Sequence, residues 1–165
     1  MLTQSRLKEL MEYDPSTGVL SWIVNKGSAG KGKVSETKSF YITHQVDYKE
    51  YKATHLIWLY VYGYLPTMII DHINGNIADN RLENLREVTL IQNNRNAAKK
   101  SNTSSRFRGV SKKGYHKWRV MIRTDVKHLY IGEFYDECEA AFRYDMASII
   151  YHQDFGRRNF LPLVT

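Results

Sequence analysis

Asp71 and His72 stand side by side at the head of a polar stretch that runs to Asn96. With the amides further along it, these residue types suit hydrolysis of a phosphodiester. A hard divalent cation such as Mg²⁺ takes oxygen ligands and keeps several of its waters. Asp71 can supply a carboxylate oxygen and Asn93 an amide oxygen, and the scissile phosphate would fill further positions. Such a cation offsets the charge that builds on the phosphate and on the leaving oxygen. The ordinary pKa of histidine lets His72 take a proton from water near neutral pH. Neighbouring side chains on a strand point to opposite faces, so Asp71 or His72 must reach a common site along a bend or from a strand end.

The elements that would position these groups follow from local pattern. Met68 to Ile73 reads as a strand, and Asn74-Gly75 suits a tight turn. The turn-formers Asn76, Asp79 and Asn80 precede a short apolar strand, Leu85 to Val88. Thr89 can cap a helix from Leu90 to about Lys99. Positions 93 and 96 share a face of that helix while 94 turns away. This favours Asn93 as the ligand, with Asn96 as a supporting or phosphate contact, and leaves the choice among Asn93, Asn94 and Asn96 open. Upstream, Thr3 to Met11 reads as a capped helix, Tyr13 to Gly18 as a turn and Val19 to Val24 as a strand. Lys26 to Lys38 reads as a loop that either connects elements or touches phosphate. Phe40 to Lys52 carries one or two strands, turning near Asp47 to Glu50. Thr54 to Tyr62 reads as a buried helix capped by Thr54 and ended by Gly63 and Pro66.

Asp71-His72-Ile73-Asn74-Gly75-Asn76, Asn80-Arg81, Asn84-Leu85-Arg86, Val88-Thr89 and Asn93 with Asn96 together resemble the HNH nuclease family, in the variant of phage and intron homing endonucleases. The resemblance implies a ββα-metal core over about residues 68–99. It implies Asp71 and Asn93 as metal ligands, His72 as general base, and Asn84 as a residue that braces the loop by hydrogen bonds. His55 occupies the place of a histidine at the start of the preceding helix. It is read as a packed or backbone-bonded residue, with a phosphate contact as the other role. Mg²⁺ is the expected cation, with Mn²⁺ as the alternative. The single Cys138 excludes a zinc site built from several cysteines.

Composition bounds the partner. The chain has 165 residues, a net charge of +7 and a pI near 9.4, which favours a polyanion. No apolar run is long enough to span a bilayer and no signal-peptide pattern opens the chain, so a cytoplasmic protein with no membrane partner is expected. From Arg106 to Lys127 there are 8 basic residues against Asp125 alone, interleaved with Phe107, Tyr115 and Trp118. One-sign clustering among aromatics marks a nucleic-acid face.

Residues 101–105 read as a polar linker. Beyond it, Phe107 to Val110, Lys117 to Arg123 and Lys127 to Phe134 read as three strands, with Gly114 joining the first two. Asp136 and Glu139 form a capping box for a helix whose apolar face carries Ala140, Ala141, Tyr144, Ala147 and Tyr151. Phe-Arg-Gly-Val at 107–110, Lys117-Trp118, Leu129 to Phe134, Glu139-Ala140-Ala141, Tyr144 to Ala147 and Asn159-Phe160 resemble the plant APETALA/ethylene-response-factor DNA-binding domain. That resemblance implies a sheet laid in the major groove. Arg108, Arg119 and Arg123 would contact DNA, Trp118 and Tyr130 would pack on its backbone, and Arg106, Lys112, Lys113 and Lys117 would add charge.

The expected fold is α+β. An N-terminal mixed strand and helix region leads into a ββα-metal nuclease motif, followed by a three-stranded antiparallel sheet packed on one helix. The expected division is a nuclease domain over 1–100 and a DNA-binding domain over 106–165. The whole resembles phage HNH endonucleases acting on duplex DNA in the host cell, as a monomer or weak dimer. A DNA-binding regulator with an inactive nuclease site is the main alternative. A purely structural hairpin leaves the Asp, His and Asn pattern without a cause.

Overall fold

The computed structural model describes residues 1–24, 42–99 and 101–160. The loop expected over Lys26 to Lys38, and the start of the Phe40 to Lys52 segment, lie outside the described residues. The chain divides into two compact units, Met1–Thr89 and Leu90–Thr165.

In the first unit, α1 (Gln4–Leu10) is capped by Thr3, whose side chain accepts from Arg6 N. It leads into a hairpin of β1 (Met11–Asp14) and β2 (Val19–Trp22), and a second hairpin joins β3 (Thr43–Val46) to β4 (Lys49–Lys52). Asp47 and Tyr48 take positive φ at its tip. Next, α2 (Ala53–Tyr62) starts one residue before the expected cap. Lys52 is its N-cap without a side-chain bond, and Thr54 lies buried inside the helix, so packing rather than capping sets this end. Gly63 ends α2 in the left-handed conformation. Then β5 (Ile69–His72) pairs antiparallel with β6 (Leu85–Val88) across a loop that ends in a 3₁₀ turn at Leu82–Asn84. One core holds α1, the first two hairpins, α2 and β6 together through Leu7, Met11, Leu20, Trp22, Val46, Leu56, Ile57 and Leu85.

The second unit begins with α3 (Leu90–Asn96), which stops three residues short of the expected end. A sheet follows in the order β7 (Val110–Lys113), β8 (Lys117–Arg123), β9 (His128–Phe134), all antiparallel. Asp136 caps α4 (Glu137–His152) by accepting from Glu139 N at 2.7 Å. The three strands and the helix are thus present, but β7 starts at Val110 rather than at Phe107. Gly109 has φ +73, and a Cβ there would lie 1.9 Å from the Tyr144 ring, so the chain bends over that ring before the ladder begins.

The buried side of α4 also differs from expectation. Tyr151 is 42% exposed, whereas Asp145, Ser148 and His152 are buried. From Tyr144 the buried stripe follows i+4 steps to Ser148 and His152 and passes Tyr151 by. Asp145 is tolerated inside because the backbone N–H groups of Asn159 and Phe160 donate to it at 2.7 and 2.8 Å.

The sequence reading puts the division at 101–105. The structure puts it between Thr89 and Leu90, because α3 bonds within the second unit. The Arg108 guanidinium donates to the carbonyls of Asn94 and Ala97, and Arg95 pairs with Asp125 at 2.5 Å.

Candidate active site

The β5–β6 hairpin sorts the two candidate catalytic side chains by face. In its register His72 lies opposite Leu85 and Asp71 opposite Arg86. Directly opposed side chains of an antiparallel pair share a face, so His72 sits on the side anchored in the core by Leu85, and Asp71 on the other. Glu87 fixes the entry to β5 by accepting from Thr67 N and Met68 N at 2.6 and 2.8 Å, and those bonds hold its carboxyl below the usual range.

Asp71 is 7% exposed. Its Oδ2 accepts from Nε and Nη2 of Arg86 at 3.1 and 3.0 Å. Arg86 therefore neutralises the charge expected to bind a cation, a role that the sequence pattern gave no reason to assign. His72 is 5% exposed, and its Nε2 lies 2.9 Å from Oδ1 of Asn80, which is equally buried. A recess of about 10 Å³ lined by His72, Asn80, Thr54 and Ile77 adjoins the ring, room for about one water.

The loop between the strands is held from within. Asn84, buried, accepts from Asn74 N at 2.9 Å and donates to the Asp79 carbonyl at 2.8 Å. Gly75 has positive φ and its N–H closes a turn onto the His72 carbonyl at 2.9 Å. Asp79 takes a fork from Arg81 and an amide N–H from Asn74, which hold its carboxyl far below the usual range. The β1–β2 hairpin braces the loop from outside. Tyr13 donates its hydroxyl to the Asn80 carbonyl at 3.0 Å. Gly18, at φ +75, lies so close that a Cβ would fall 2.4 Å from Arg81 N and 2.6 Å from the Asn80 carbonyl carbon.

Asn93 and Asn96 lie on α3, in the second unit. Asn96 is buried, Asn93 half-buried and Asn94 exposed. His55 is half-buried on α2, and burial, followed by the nearby Lys52 charge, lowers its pKa.

The basic residues of the second unit separate by face. Trp118, Val120 and Ile122 pack toward the core shared with Ala140, Ala141 and Tyr144. Alternation puts Lys117, Arg119, Met121 and Arg123 on the other face, together with Tyr130, which is 58% exposed. Trp118 thus packs inward instead of facing outward beside the arginines. Arg108 directs its donors to the α3 carbonyls and to Tyr144 Oη at 3.1 Å. Arg106 is exposed and lies over the Phe107 ring, and Lys112 and Lys113 are exposed. Arg119 Nε is buried with no hydrogen-bond partner among the described residues.

A larger cavity of about 430 Å³ lies in this unit, lined by Arg95, Arg108, Met121, Arg123, Tyr144 and His152 among others. Three of its polar groups are engaged: Arg95 with Asp125, Arg108 with the α3 carbonyls, and His152 Nε2 with the Arg123 carbonyl at 2.6 Å.

Residues 51–95 match the family described as HNH endonuclease, from β4 through the β5–β6 hairpin into α3. The match contains Asp71, His72, Asn80, Asn84, Arg86 and Asn93, and it supports a nuclease role and the handling of DNA. No curated protein matches the chain. No helix of the described residues is long and apolar enough to cross a membrane.

Among the described residues no group of three or more His, Cys, Asp or Glu could hold a metal. A Mg²⁺-like cation does not require one, since one or two carboxylates with waters and phosphate oxygens suffice. Asp71 offers that carboxylate, so the donor chemistry fits a hard cation, in competition with Arg86 for Oδ2.

Proposed function

We propose that the protein is a metal-dependent endonuclease that hydrolyses phosphodiester bonds in duplex DNA. The observation that carries this reading is a buried Asp71-His72 pair on a braced hairpin within the segment that matches HNH endonucleases. His72 takes the proton of the attacking water. Asp71 supplies a carboxylate oxygen to a divalent cation, Mg²⁺ in the first instance, and the sequence pattern supports Asn93 as an amide donor. When bound, the cation offsets charge on the scissile phosphate and the leaving oxygen. Asn84 keeps the loop in shape through Asn74 and Asp79.

The open face of the β7–β9 sheet carries the affinity for DNA through Lys117, Arg119, Arg123 and Tyr130, in the manner of an APETALA-type domain. Arg106, Lys112 and Lys113 add charge at its margin. A homing-type endonuclease of a phage, acting in the host cytoplasm, fits the motif order.

The test is plasmid cleavage with and without Mg²⁺ or Mn²⁺. The full chain should nick or linearise DNA only with the cation. His72→Ala should lower the rate by roughly 10²–10⁴-fold, the usual range for a lost general base, while binding DNA normally. Undiminished cleavage by His72→Ala would remove the assignment. The Arg86 fork on Asp71 favours a second reading, a DNA-binding regulator whose nuclease site is inactive. Wild-type protein that binds duplex DNA but leaves it intact with either cation would support that reading.

A further inference from the structure

We infer that Asn80 is a positioning residue for His72: its side-chain carbonyl fixes the imidazole in the Nε2–H tautomer and sets the ring's orientation. The inference rests on the reading of His72 as general base and adds which ring atom does the work and what aims it.

An amide carbonyl can only accept a hydrogen bond. With Asn80 Oδ1 facing it at 2.9 Å, Nε2 is the donor in this arrangement and carries the proton. In a neutral imidazole the lone pair then lies on Nδ1, and Nδ1 is the atom able to take a proton from water. The partner of one ring nitrogen commonly decides the state of the other. The neutral amide also places no fixed charge beside the ring.

Asn80 is itself over-determined. It is 5% exposed. Its backbone carbonyl accepts from buried Tyr13 Oη at 3.0 Å. Gly18 lies against its backbone with no room for a Cβ. Asn84, reaching the Asp79 carbonyl, fixes the residue just before it. Supports from the N-terminal hairpin and from the loop thus converge on one amide, and that amide touches one imidazole. A mere turn-former needs no such bracing, and a base whose proton must sit on one chosen nitrogen does.

The decisive measurement uses the full chain, uniformly ¹⁵N-labelled, with long-range ¹H–¹⁵N spectra of the imidazole rings. His72 is assigned by comparison with His72→Gln. The expected result is a pyrrole-type nitrogen at Nε2 and a pyridine-type nitrogen at Nδ1. Asn80→Leu, with no acceptor, should give a mixture of tautomers. It should also lower the single-turnover cleavage rate at saturating DNA by about 10–100-fold, the usual cost of losing an outer partner, with DNA affinity unchanged. Asn80→Asp, which restores an acceptor, should restore the single tautomer and most of the rate.

An Nδ1–H tautomer in the wild type would overturn the inference. So would an Asn80→Leu protein that keeps both the Nε2–H form and the wild-type rate. If Asn80→Leu does not fold, the wild-type spectrum and Asn80→Asp decide the matter. Full cleavage by His72→Ala would instead overturn the catalytic reading and leave the tautomer assignment standing.

Discussion

The β5–β6 hairpin and the β7–β9 sheet treat polar groups in opposite ways. On the hairpin every candidate side chain is buried and paired: Asp71 with Arg86, His72 with Asn80, Asn84 with Asn74 and Asp79. On the sheet Lys117 and Arg123 stand exposed, Lys117 only 3.9 Å from Glu133, and Arg119 is half-buried between them. The contrast matches the demands of the two tasks proposed for these regions. Chemistry needs groups fixed before substrate arrives, because misplacement by even 1 Å can cost about 10²-fold. Affinity for a polyanion needs charges free to trade counterions, and tolerates loose geometry.

Removing Arg86 should sharpen the contrast most. Arg86→Ala takes the ion pair from the buried Asp71 carboxylate, and breaking a buried pair typically costs about 3–5 kcal/mol. Urea melts should show that loss in EDTA, and Mn²⁺ or Mg²⁺ should recover part of it by binding the folded form. Equal loss with and without the cation would break the link between Asp71 and metal. No sheet cation should show such a metal-dependent effect.

Gly18→Ala should come next. A non-glycine residue at φ +75 carries strain of roughly 1–3 kcal/mol, and the Cβ also meets the Asn80–Arg81 backbone. Stability should fall, and cleavage with it, since the hairpin tip supports the loop that holds Asn80. A Gly18→Ala protein as stable and active as wild type would show that the brace has no consequence.

Arg119→Ala and Arg123→Ala should each leave stability nearly unchanged. Each should reduce the slope of log affinity against log salt by about 0.9 for every phosphate that the protein no longer neutralises. Fluorescence anisotropy with duplex DNA at several salt concentrations reads the slope. An unchanged slope would take the arginine off the DNA face.

The smallest effect concerns pH. Burial lowers the pKa of His152, whose Nε2 lies 2.6 Å from the Arg123 carbonyl. Its folded pKa lies below its unfolded value of about 6.5, so protons favour the unfolded chain. Its contribution is therefore complete above that value and declines as pH falls through it toward the folded pKa. Thermal melts between pH 8 and 5 should show a gentler decline in His152→Gln than in wild type.

What was legible in the sequence differs between the two regions for a physical reason. The strands and helix of the C-terminal unit follow from alternation, the Asp136 cap and the apolar spacing on α4, and its charge is plain in the composition. Its misplacements concern orientation. Trp118 packs inward because it alternates with Arg119, and Arg108 turns to α3 because free carbonyls at a helix end attract a guanidinium. In the first unit Asp71, His72 and Asn84 were marked by motif, and the strand–loop–strand order by turn residues. Asn80 and Arg86 belonged to the motif, but nothing in it assigned them a partner. Asn80 reads as one more turn-former, and Arg86 as half of an ordinary strand. Their partners are set by cross-strand register and by a hairpin some sixty residues earlier (Tyr13 and Gly18), neither of which is written locally.

The division of labour is tested most directly by measuring DNA affinity and single-turnover cleavage at saturating DNA for two proteins, His72→Ala and the double variant Arg119→Ala/Arg123→Ala. His72→Ala should keep the wild-type Kd and lose the rate. The double variant should lose affinity and its salt dependence, yet cleave near the wild-type rate once saturated. If the double variant binds like wild type while His72→Ala loses affinity, the two regions have been assigned the wrong tasks.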